Sequence, residues 1–178
     1  MTEISVNLDN LVLTPESTGS RFGAASAEFG AAIGLFGLGA TLYVVPAGKT
    51  AVPFHRHHTS DELFLILSGE GTYRYGDKRM AVGPMDCLAA PAGGEGHQLI
   101  NTGTTPLRYL ALSNNTNADV VEYLDSGRIR IDIGAVGHHR ENATFGAGGR
   151  LEPMDYWDGE DIGNGADDHA EPKDKRSV

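Results

Sequence analysis

Short hydrophobic runs, each closed by glycine, proline, asparagine or aspartate, recur through the middle of the chain. They are TLYVV (41–45), ELFLIL (62–67), TYRYG (72–76), DCLAA (86–90), HQLI (97–100) and LRYLALS (107–113). Several alternate with period two and none sustains a helical stripe, so the pattern predicts the strands of a barrel or sandwich. Residues 1–40 are rich in Gly, Ala and Ser with scattered Phe and Leu, and read as an arm with one strand. After residue 114 polarity rises, although RIRIDIGAV (128–136) alternates charged and aliphatic residues as a half-buried strand does. Residues 161–178 hold too few large apolar side chains to offset their ordering entropy and are expected to be disordered. The predicted organisation is all-β: an N-terminal arm (1–40), a barrel core (41–113), a C-terminal strand and clasp segment packed on it (114–160), and a tail (161–178).

Composition narrows the function. The chain has 178 residues, enough for one domain with a real core at 40% hydrophobic content. Its 14 basic and 24 acidic residues give a net charge of −10, which repels both a phosphate backbone and an anionic membrane surface. Neither nucleic acid nor membrane is expected as a partner. No apolar stretch has bilayer-spanning length, and the opening MTEISVNLDN lacks the basic and apolar regions of a signal peptide, so a cytoplasmic location is expected. The single cysteine, Cys87, forms no internal disulfide and no thiolate zinc site, and on an inner strand it reads as a small buried hydrophobe. A metal would therefore be held by nitrogen and oxygen.

Such donors cluster in FHRHHTSDELFLILSGEG (54–71). In an extended chain His55 and His57 point to one face, while His58 breaks the parity and reads as a solvated turn residue. The turn-forming HTSD predicts an antiparallel return that places Glu62 opposite the histidine pair. Alternation puts Glu62 with Phe64 and Ile66, so Glu62 is preferred over Asp61. His97, after the Gly-rich turn of PAGGEGHQLINTG, shares a parity with Leu99 and Asn101 and supplies a fourth donor. Three imidazoles and a carboxylate suit a divalent transition metal and leave octahedral positions for water or substrate.

These residues resemble the two motifs of the cupins. The first reads Gly48, His55, His57, Glu62 and Gly69, with a spacer before His55 one residue longer than usual; the second reads Gly83, Pro91, Gly93, His97 and Asn101. The resemblance covers roughly residues 41–113. It implies a double-stranded β-helix, or jelly-roll barrel, with N- and C-terminal extensions outside it. It also implies one divalent transition metal ion per chain (zinc, iron, manganese or nickel) held by His55, His57, Glu62 and His97. The wider pattern is similar to small bacterial single-domain cupins that also carry a late Tyr-Trp-Asp-Gly-Glu segment, here Tyr156–Glu160.

Cupins span many reactions, so fold analogy does not choose among them. Two expectations stand: a metal-dependent enzyme acting on a small organic acid or sugar derivative, by isomerase, lyase or dioxygenase chemistry, or a non-catalytic small-molecule binder. Phe64, Ile66 and Leu99 should line a mostly apolar pocket. Tyr73, Tyr75 and Tyr109 are weighed as acid or base against ring packing, and Arg74 and Arg108 as anion holders against solvated arginines. His138 and His139 are adjacent, so one strand face cannot present both to one ion. Trp157 is expected to pack the tail against the barrel or a second subunit. Phe22, Phe29, Leu35, Phe36, Tyr123, Ile131 and Trp157 exceed what a barrel of this size covers, which predicts a homodimer.

Overall fold

Each of the six central runs is strand in the computed structural model, which describes residues 4–134 and 143–163. In chain order the strands are β1 (Thr14–Thr18), β2 (Phe22–Glu28), β3 (Leu38–Val45), β4 (His55–His57), β5 (Glu62–Ser68), β6 (Gly71–Tyr75) and β7 (Lys78–Val82). They continue with β8 (Cys87–Ala90), β9 (His97–Ile100), β10 (Leu107–Asn114), β11 (Ala118–Tyr123), β12 (Arg128–Ile133) and β13 (Phe145–Arg150). One sheet runs β1-β2-β3-β10-β5-β8 and the other β13-β12-β11-β4-β9-β6-β7, with every strand pairing antiparallel. The two sheets face each other as a double-stranded β-helix. Residues 1–40 contribute two strands, where the sequence pattern predicts one. His138 and His139, and the tail from residue 164 onward, lie outside the described residues.

Alternation decides what fills the space between the sheets. On β5, Phe64 and Ile66 are buried inward; Tyr109 and Ala111 on the adjacent β10, and Tyr43 one strand further on β3, share that face through direct register. Tyr73 and Leu99, paired across β6 and β9, close the core from the other sheet. The opposite face of β3 and β10 carries Leu42, Leu110 and Leu112. These are covered by Leu8, Leu11, Leu13, Phe29 and Ile33 in a second, smaller cluster. Phe29 therefore finds its burial within its own chain.

Two motif residues are structural. Asn101 is fully buried; its amide donates to the carbonyls of Val45 and Thr105, both at 2.8 Å, and its carbonyl accepts from the Gly103 N–H at 3.0 Å. With donors and acceptor all engaged, it fixes the β9–β10 turn against β3. Gly69 adopts φ +84°, and a Cβ there would lie 2.4 Å from the Pro106 carbonyl oxygen. Only glycine fits that turn.

The expected hairpin between residues 55–57 and 62–68 does not form. β4 joins β11 and β9 in the seven-stranded sheet, whereas β5 joins β10 and β8 in the six-stranded one. The segment 58–61 is a crossing between sheets, so Glu62 meets the histidines across the barrel interior. Cys87 also differs from expectation. It is exposed on the edge strand β8, not buried.

Candidate metal centre

His55 and His97 are direct register partners on β4 and β9, and His57 follows two residues on, so three imidazoles share the inner face of one sheet. Glu62, the first residue of β5, reaches them from the other sheet. Its Oε2 lies 2.7 Å from His97 Nε2, 3.4 Å from His57 Nε2 and 3.8 Å from His55 Nε2. His55, His57 and Glu62 each present a donor within 4.8 Å of the others, and His97 joins the set at the carboxylate. An octahedral ion with bonds of about 2.1 Å places neighbouring donors about 3 Å apart, so these spacings and donor types fit one divalent transition metal.

The surrounding groups set the charge of each donor. Burial, reinforced by His97, lowers the His55 pKa to about 4, so the ring is neutral near pH 7. Its Nδ1–H donates to the Pro53 carbonyl at 2.8 Å, which leaves the Nε2 lone pair facing Glu62. His57 donates its Nδ1–H to Asp119 Oδ2 in a short contact, with the same consequence for its Nε2. Burial pushes the Glu62 carboxyl up, but the His97 hydrogen bond and the neighbouring imidazoles outweigh it and hold the pKa at about 2. His97 Nδ1 is buried with no partner among the described residues. Two of the three rings thus carry the polar support typical of histidine ligands.

The cluster lies in the wall of a cavity of about 680 Å³ that opens to solvent beside Val12, Thr14 and Glu16. Phe64, Leu99, Tyr109 and Ala111 are among its apolar lining, and the Thr41 hydroxyl, buried with no hydrogen-bond partner among the described residues, is a polar group there. Tyr109 is buried and stacked on Tyr43, and burial raises its pKa well above the phenol range. Tyr73 is raised for the same reason and donates to the Ala89 carbonyl at 3.0 Å. Both stay protonated and can serve as hydrogen-bond donors, not as bases.

Comparison with known proteins bears on the fold that carries this arrangement. Residues 41–113 match the family described as the cupin domain. This stretch is a cupin domain. An oxalate-binding protein of Thermotoga maritima is 34% identical over 68 residues, which are 38% of this chain and 54% of that protein. The chain spans about half the length of the curated relatives it matches. Among solved structures, a sugar phosphate isomerase of the cupin superfamily from Silicibacter pomeroyi superposes with a TM-score of 0.69 at 23% identity, covering 88% of this chain and 94% of that one. A predicted oxalate decarboxylase from Thermotoga maritima gives 0.55 at 24% identity, covering 62% and 97%. At these identities the two structures speak for the fold.

The cupin domain accounts for His55, His57, Glu62 and His97, and it draws on residues outside itself. Asp119, on β11, was not anticipated; the one signal in the sequence is that Asp119, Val121 and Tyr123 share a strand face. The neighbours of these four residues have other roles. His58 sits on the outside, 3.5 Å from Glu122, which also binds Arg56. Asp61 accepts from the Ala92 N–H at 2.8 Å, tying the crossing segment to the loop before β9. Arg74 pairs with Asp125 and Arg108 with Asp9, both outside the cavity.

Proposed function

We propose that the chain is a metal-dependent enzyme acting on a small organic acid or sugar derivative, by isomerase or lyase chemistry or by dioxygenase chemistry. The observation that carries this reading is the meeting of three imidazoles and an ionised carboxylate at the wall of a cavity sized for a small molecule. His55, His57, Glu62 and His97 would hold one divalent ion, of zinc, iron, manganese or nickel. Such an ion supplies Lewis acidity toward a carbonyl or carboxylate, or a binding position for O2. The chain's own part is to exclude water with Phe64 and Leu99 and to offer the Thr41 hydroxyl to a polar substrate group. The Tyr109 hydroxyl is a donor at the same wall.

Elemental analysis of the purified protein should find one metal equivalent per chain. His55→Ala or His97→Ala should bring it below half an equivalent while the β signal in circular dichroism persists. Glu62→Gln should weaken binding and Asp61→Asn should not. Near-stoichiometric metal in both histidine variants would remove the site, and loss in Asp61→Asn alone would shift the assigned carboxylate.

A second reading, a binder in which the ion anchors a ligand without turnover, draws on the name of the Thermotoga oxalate-binding relative. Incubating the loaded protein with a ligand found by thermal shift separates the two. Recovery of the ligand unchanged, with and without O2, favours the binder. Either activity is proposed for a homodimer in the cytoplasm. Supporting this, Phe36, Met154 and Trp157 are 76%, 71% and 58% exposed in the single chain, and among the described residues no helix is long and apolar enough to cross a membrane.

A further inference from the structure

A second cavity, of about 630 Å³, opens on the outer side of the seven-stranded sheet beneath the β1–β2 turn and the β3–β4 loop. Arg21, Lys49, Arg74, Arg79 and Arg128 line it, so five of the chain's 14 basic residues gather at one place on a chain of net charge −10. Asp125 is the one carboxylate in the lining, and Arg74 engages it through both oxygens at 2.8 Å. Among the described residues Arg21, Lys49, Arg79 and Arg128 have no ion-pair partner. We propose that this cleft binds a phosphate-bearing small molecule.

The arrangement is unfavourable without an anion. Arg74 and Arg79 are direct cross-strand partners on β6 and β7, and like charges so placed repel. Asp125 binds one of them, Arg74, and its single carboxylate also feels the charges of Arg79 and Arg21. It also holds the Arg74 guanidinium in place 3.5 Å over the Phe54 ring, which fixes the fork before any ligand arrives. Arg128 lies in the same way over Tyr123, at 5.1 Å. Lys49 lies against Gly23, where a Cβ would come within 2.9 Å of the Lys49 Cδ, so glycine leaves the lysine its path.

The chemistry selects the ligand class. Several guanidinium forks and an ammonium converging on one cavity call for at least two negative charges with oxygens on several sides, which phosphate presents better than a single carboxylate. Phe54 and Ile100 give the cavity an apolar wall for the body of the molecule, and its volume is that of a small-molecule site. The cleft lies across β6 from the core: Arg74 lines it where Tyr73 faces inward, and Gln98 borders both this cleft and the cavity of the metal centre. The proposal stands without the enzymatic reading above.

Inorganic pyrophosphate is the probe, titrated calorimetrically into the full chain at low ionic strength. One saturable site per chain is expected, weakening as salt is added. Arg79 is exposed on an edge strand, so Arg79→Gln should keep the fold, checked by circular dichroism, and weaken binding at least tenfold, while Arg79→Lys should retain most of it. His97→Ala should bind as tightly as the native protein, since the metal centre takes no part. Absence of a saturable site, equal affinity in Arg79→Gln, or loss of binding in His97→Ala would each overturn the proposal. So would a fall in molecular mass on adding pyrophosphate, which would assign the cleft to an acidic segment of a second copy.

Discussion

Asp119 holds the His57 ring by its Nδ1–H and so fixes which nitrogen faces Glu62. Burial alone would raise its carboxyl pKa, but the His57 hydrogen bond holds it below the ordinary range, so it stays an acceptor at neutral pH. Asp119→Ala should weaken metal binding about 10- to 100-fold without unfolding the barrel, as loss of such support does elsewhere. Competition against a chelator measures this, and native affinity would return Asp119 to a structural role. At this scale the sequence was legible where spacing is short. The convergence of His55, His57, Glu62 and His97 is legible from parity and from the glycines around them. Asp119 is 62 residues from its partner, and no local pattern links the two.

Turns decide the elements as much as strands do. Gly69→Ala combines a φ of +84° with a Cβ 2.4 Å from the Pro106 oxygen, and should cost about 1–3 kcal/mol or more, read as a lower urea midpoint. An unchanged midpoint would mean that the 106–107 backbone yields. The apolar runs gave away β3, β5, β6, β8, β9, β10 and β12, because burial on one face imposes a two-residue period. β13, with the sequence FGAGGR, has no such period and is strand only through its backbone pairing with β12. The false hairpin arose from the rule that consecutive strands pair. In a double-stranded β-helix successive strands are sent to opposite sheets, and that choice is made by the whole barrel. Cys87 was misplaced because the sequence does not say which strand lies at an edge.

At the scale of the whole molecule the open surface is the guide. Phe29, once a reason to expect a partner, is satisfied within the chain, but Trp157 is more than half exposed, its ring edge-on to Tyr156 with centroids 4.6 Å apart. Phe36 and Met154 are as open, and apolar surface of that kind is normally covered. Light scattering at micromolar concentration should therefore give about twice the chain mass, and a value of 18.9 kDa would exclude the dimer. The placement of Glu62 opposite the three histidines has its own consequence. An ion gripped by all four donors would be a rivet through the barrel, since any motion that slides one sheet over the other must first release it. Loading should then slow amide hydrogen exchange in β4, β5 and β9 together, although β5 pairs its backbone with neither of the other two. Stripped of the ion, the sheets should open as separate leaves, each at its own rate.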